Sequence, residues 1–228
     1  MGPAGVGKTS LSMAYATSAA RTGDPVHIFL FDERTATTLR RATNLGMDVE
    51  RWQAEGTLKV EQVDPAELSP GEFIDRIRNS VEQNGTKLLV LDSLNGLLMA
   101  MPGEEYLLLH MHELLSYLGQ KGVTTILVLS QAGILGASMA SPVDLSYLTD
   151  NILLLRYFEA AGQVRKAISV VKKRSGSHET TIREISYSNS GISVGQPLLA
   201  FNGVLSGVPS YTGLAVALEE APDGSREP

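Results

Sequence analysis

The stretch Gly2-Pro3-Ala4-Gly5-Val6-Gly7-Lys8-Thr9 constrains this chain more than any other. It meets the pattern G-x-x-x-x-G-K-[ST] at every fixed position, and an apolar helical pattern follows it directly. Glycines let the backbone wrap closely, so that successive N–H groups face a phosphate chain. The helix that starts at the loop adds the positive end of its dipole. Lys8 is placed to reach the β- and γ-phosphates, and Thr9 to set its hydroxyl on Mg²⁺. Gly2, Gly5, Val6, Gly7 and Ser10 complete the cradle, and the ligand it suits is ATP with Mg²⁺. A β-strand must feed such a loop to position it, and there is no room for one before Gly2. The expectation is therefore a chain shortened at its N-terminus, or begun at a late start site, with at least one central strand outside it.

Beyond the loop, strands and helices alternate. Residues 8–22 carry a helical period through Leu11, Ala14, Tyr15 and Ala19, and Gly23-Asp24-Pro25 stops it. Residues 26–31 (VHIFLF) and 87–91 (KLLVL) are continuous apolar runs of the kind that fill strands buried on both faces. A third such run is 124–129 (TTILVL). Helices are expected at 35–45, 70–84 and 104–120, with a short segment at 48–55 and a strand at 58–62. This alternation implies a parallel sheet covered by helices. The last third changes character. Residues 151–159, 163–173 and 180–187 read as neighbouring β segments, with Ala161-Gly162-Gln163 as a hairpin turn. The tail from 196 is rich in Gly, Pro and Ser and is expected to be extended and partly disordered. The expected division is a domain over 1–195 and a tail over 196–228.

Composition excludes several classes. Hydrophobic residues make up 43% of the 228, enough for a real core. No apolar run reaches the eighteen residues a spanning helix needs. Cysteine is absent, which rules out disulfides and thiolate metal sites and fits the cytoplasm. Nineteen Lys and Arg stand against 25 Asp and Glu, a net charge of −6 that argues against broad nucleic-acid binding. His110 and His112 lie two apart on a helix, so they face different ways and make no metal pair.

Three further positions bear on the chemistry. Asp92 ends the buried run LLVLD and suits the acid that holds Mg²⁺ through its water shell, unless it only caps the next helix. Asp32 and Glu33 follow the strand that comes after the phosphate-loop helix. In a parallel sheet that end faces the nucleotide, a place for a general base acting on water. Glu33 is the first choice and Asp32 the second, with helix capping before Thr35 as the alternative. Gln131 ends another strand, either as a γ-phosphate sensor or as an ordinary loop residue.

The β-rich last third carries a sharper signal. Leu153–Glu159 (LLLRYFE), Val171–Glu179 (VKKRSGSHE) and Ile182-Arg183-Glu184 resemble the KaiC family of RecA-like ATPases. The likeness runs from Gly2 to about Gly213. It implies an α/β, RecA-like P-loop fold, mostly parallel with flanking helices and a β-rich C-terminal extension. It implies hexameric rings with ATP at subunit interfaces. The pair matching Asp32 and Glu33 would supply the catalytic carboxylates. Lys172, Arg174 and His178 would project toward a neighbour's nucleotide, where a guanidinium can stabilise the transferring phosphoryl group. Read without the family, Lys172-Lys173-Arg174 is a solvated strand edge. The best-known member autophosphorylates on adjacent Ser and Thr in the second of two tandem domains. Those positions fall on Ser146 and Tyr147, so Ser146 is the candidate phosphoacceptor. The close, Gly203–Tyr211, looks like the end of such a C-terminal domain.

The leading expectation is thus an ATPase, with serine autokinase activity as a further property, acting in signalling or timing with partner proteins. The alternative is a RecA-like DNA recombination or repair module. A non-catalytic, nucleotide-gated scaffold is the third reading, and the carboxylates at 32 and 33 count against it.

Overall fold

A computed structural model describes residues 1–64, 66–100, 107–131, 133, 146–206 and 208–212. Helix α1 (Lys8–Arg21) leads into strand β1 (Val26–Leu30), and α2 (Thr35–Asn44) and α3 (Val49–Ala54) precede β2 (Leu58–Gln62). Then come α4 (Pro70–Asn84), β3 (Leu88–Asp92), α5 (Leu94–Ala100), α6 (Leu107–Gln120) and β4 (Thr124–Val128). These four strands form a parallel sheet in the order β2-β1-β3-β4. The two central strands, VHIFL and LLVLD, are buried along their whole length because helices cover both faces.

The strand period of two divides the core. Phe29 and Leu89, with Phe31 and Leu91, pack on the side of α4, α5 and α6, against Phe73, Ile77, Leu94, Leu114 and Leu118. Ile28, Leu30, Leu88 and Val90 pack on the other side, against Met13, Ala16 and Ala20 of α1 and Trp52 of α3. Helix α4 begins where the sequence dictates: Pro70 is its first residue, and Ser69 and Glu72 form a capping box. Gly85 ends it in the left-handed region, at φ 66°.

The last third is a separate antiparallel sheet, β5 (Asn151–Ala160), β6 (Gln163–Lys173), β7 (Arg183–Ser188) and β8 (Gly191–Pro197), paired in chain order. Ala161 and Gly162, at φ 50° and 70°, make the two-residue turn between β5 and β6. Strand β8 has an exposed, glycine-containing sequence and is held by its pairing to β7, which is why composition alone does not mark it. Helix α5 is only seven residues long and has Gly96 as its third, too short a run for a helical period to stand out. Short strands β9 (Phe201–Asn202) and β10 (Ser210–Tyr211) pair with each other, and Phe201 packs edge-on against Phe158. The N-terminal part of the expected helix at 104–120 lies outside the described residues.

Met1 and Gly2 join the two sheets. Gly2 bridges Ser130 in parallel: its N–H donates to Leu129 and its carbonyl accepts from Gln131, at 3.2 and 3.0 Å. Met1 donates to the Leu153 carbonyl and accepts from the Leu155 N–H, at 2.8 and 2.9 Å. Beside this junction a groove of about 860 Å³ runs between β4 and β5, lined among others by Ile126, Val128, Ile152 and Leu153. Both flanking strands are edge strands of their sheets. Among the described residues no helix is long and apolar enough to cross a membrane.

Candidate functional site

The phosphate loop leaves Gly2 at the C-terminal end of the parallel sheet and closes on α1. Gly5 and Gly7 hold φ values of 73° and 110°, which a side chain would strain. Val6 is fully buried against Leu155 and Ile185, which pins the middle of the loop to the antiparallel sheet. Lys8 folds back so that its Nζ donates to the Pro3 carbonyl at 2.7 Å. Burial lowers the Lys8 pKa, and the nearby Asp92 charge opposes that. Ser10 is buried in the first turn of α1.

Asp92 is buried at the end of β3, and its Oδ2 has no hydrogen-bond partner. Burial pushes its carboxyl above the ordinary value, and the charges of Asp32 and Glu33 add to this. Thr9, beside the carboxylate, and Lys8 oppose it. A buried, unsatisfied carboxylate oxygen next to a threonine hydroxyl at a phosphate loop fits a hydrated Mg²⁺. Strand pairing sets Leu30 opposite Asp92, so Asp32 and Glu33 emerge from β1 alongside it.

The two adjacent carboxylates diverge. Asp32 accepts from the Ser93 hydroxyl and lies against Gly96, where an added Cβ would overlap it. Glu33 turns to α2, accepting from Thr38 and Arg41. The Gln131 N–H is held by Gly2, while its side-chain Oε1 is buried and without a partner.

The remaining candidates form a second group. Ser146 begins the turn 146–148, and its carbonyl, with that of Thr149, accepts from Lys172 Nζ. Arg174 pairs with Asp150 at 3.1 Å and donates to the Tyr147 carbonyl at 3.0 Å. His178 lies half-buried in the connection after β6. Within one chain Lys172 and Arg174 bind the segment 146–150.

Several contributors carry no motif. Tyr157 and Tyr187 donate to the carbonyls of Ala4 and Gly7, at 3.2 and 3.3 Å, from strands β5 and β7. Lys166 donates to the Gly5 carbonyl and lies over the Tyr187 ring. Burial pushes the Tyr187 phenol up to about 12, so it stays a donor across the physiological range. Together these three side chains brace the loop from outside. Each lies on a different strand, so their shared face follows from strand pairing and carries no sequence signal.

The comparisons with known proteins agree on one family. A family model described as "ATPase: KaiC" matches residues 1–198. The circadian clock protein KaiC3 of Synechocystis sp. is 28% identical over 92% of this chain and 42% of its own length. The circadian clock oscillator protein KaiC of Acaryochloris marina is 28% identical over 99% of the chain and 42% of its own. That of Synechococcus elongatus is 26% identical over 92% and 40%. The chain thus spans about two fifths of the length of these relatives. Its parallel sheet with flanking helices is the RecA-like P-loop fold, and the chain belongs to the KaiC family of ATPases.

Proposed function

We propose that this chain binds ATP with Mg²⁺ at residues 2–10 and hydrolyses it, as one subunit of a ring. The observation that carries this is the convergence of Lys8, Thr9 and Asp92 with Asp32 and Glu33 at the C-terminal ends of adjacent strands. That end of a parallel sheet is where such folds place ligands. Bound Mg²⁺ would neutralise charge on the β- and γ-phosphates, held through Thr9 and Asp92. Loop N–H groups and Lys8 orient the γ-phosphate. Glu33 takes a proton from water as the new O–P bond forms and the bridging P–O bond breaks, releasing ADP and phosphate. Asp32 keeps the local field and the Ser93 contact. Gln131 completes the γ-phosphate end.

In the ring, Lys172, Arg174 and His178 serve a neighbour's nucleotide. Ser146, next to Lys172, is the acceptor for phosphoryl transfer: its hydroxyl attacks the γ-phosphorus, ADP leaves, and a carboxylate of the 32–33 pair takes the proton. The clock role in the relatives' names extends to this chain as signalling or timing in the cytoplasm. Nucleic acid is not the expected partner, given the charge of −6.

Calorimetry and phosphate release test the core reading. Lys8→Ala should abolish ATP binding. Glu33→Gln should keep binding and lower hydrolysis by roughly 10²-fold or more. Unchanged affinity in Lys8→Ala would sink the site, and a far larger loss in Asp32→Asn would reverse the two acids. For the kinase step, phosphate mapped to Ser146 and lost in Lys8→Ala is expected. No phosphate with hydrolysis intact would leave only the ATPase.

A further inference from the structure

The Glu33 side chain is 31% exposed, yet both of its carboxylate oxygens are engaged by side chains of α2. The hydroxyl of Thr38 donates to its Oε2 at 2.7 Å, and the Arg41 guanidinium is ion-paired with its Oε1. Thr38 and Arg41 are three residues apart on α2, so they present one face to the carboxylate. Thr38 is 1% exposed, which fixes its donor. Arg41 is different: its side chain is 39% exposed, so it can swing into solvent without disturbing the core. Asp32, one residue earlier, is held in the opposite direction by Ser93.

We propose that Thr38 and Arg41 act as a brake on ATP hydrolysis, parking the carboxylate of Glu33 on α2 until the Arg41 pair opens. This rests on the reading of Glu33 as the base. A general base must offer a free lone pair to the attacking water at hydrogen-bond distance. Here water competes with a cation and a buried hydroxyl for both oxygens. The lock is weak by design of its exposure, since partly exposed ion pairs are readily opened and screened by salt. Arg41 is thus a positioning residue that sets the fraction of time the base is available. Among the described residues its side-chain bond is to Glu33 and not to the nucleotide cradle, so its effect should fall on turnover and not on affinity.

The test measures steady-state phosphate release by the full-length protein across ATP concentrations. Arg41→Gln should raise kcat about threefold or more, the order of one released ion pair, with KM for ATP unchanged. Thr38→Val, which keeps the shape and removes the donor, should also raise kcat. Arg41→Lys should restore most of the slow rate. Added salt should speed the wild type more than Arg41→Gln. The double variant Glu33→Gln with Arg41→Gln should show no gain over Glu33→Gln. A fall or no change in kcat for Arg41→Gln, with Glu33→Gln inactive, would overturn the brake and make Arg41 a support for the base. A Glu33→Gln variant as fast as wild type would instead remove Glu33 as the base, and the brake with it.

Discussion

The side-chain amide of Asn95 pairs with the backbone of Ser130 as another strand would: Nδ2 donates to the carbonyl at 2.9 Å, and Oδ1 accepts from the N–H at 2.7 Å. Ser130 in turn bridges Gly2, so α5 is tied to the start of the phosphate loop. Asn95→Ala leaves two backbone groups without these partners and should cost about 1–3 kcal/mol of stability. Urea unfolding checks this, and weaker ATP binding should accompany it.

Gly96 must stay glycine for a steric reason. An added Cβ would overlap the Asp32 carboxylate and come within 2.9 Å of the Phe31 Cβ. Gly96→Ala should cost about 1–3 kcal/mol through overpacking. It should also slow hydrolysis by displacing Asp32, measured as phosphate release at saturating ATP.

Asp92 sets function against stability. Its folded pKa is raised by burial above the ordinary 3.8. Its protonated form therefore favours the folded state: the contribution is full below 3.8 and is lost as pH rises through the higher folded value. Asp92→Asn should melt higher than the wild type near neutral pH without nucleotide, and should lose Mg²⁺-dependent binding. A lower melting temperature would show that the carboxylate is satisfied in the nucleotide-free state.

His27 acts in the opposite sense. It is held by Ser80 and Glu61, and burial, with the charges of Lys59 and Arg76, lowers its pKa from 6.5 to about 4. The unfolded chain takes up the proton first, so stability present above pH 6.5 is lost as pH falls toward 4. The loss should reach about 3 kcal/mol, from 1.4 kcal/mol per pKa unit. Denaturation curves across this range should show it, and His27→Gln should flatten it.

Arg174 should act in trans. Lys8→Ala and Arg174→Ala subunits should each be nearly inactive, and mixing them should restore a fraction of the sites. No recovery on mixing would confine Arg174 to its own contacts with Asp150 and Tyr147.

The legible parts of this molecule are those whose signal is local. The loop motif, the buried runs at β1 and β3, and the capping residues of α4 each fix their own backbone. The place of Asp92 at the end of β3 was legible because it ends such a run. What Arg41, Asn95, Gly96, Tyr157 and Tyr187 touch was not, since their partners are set by packing between distant segments. Asn95 meets Ser130 across 35 residues, and Tyr187 meets Gly7 across 180. No periodicity encodes such a meeting. Lys172 and Arg174 were singled out by likeness to a family, and spacing alone would have left them as a solvated edge.

The seam at Met1–Gly2 anchors the loop to both sheets at once. Gly2 is bonded to the end of β4, and Met1 to Leu153 and Leu155 of β5. Ile152, next along β5, is the partner of Lys172 on β6. Two hydrogen-bonded strands therefore separate the loop from the side chain that holds the Ser146 segment. The phosphate loop and the segment 146–150 thus share one edge of the antiparallel sheet, held from β5 and β6 respectively.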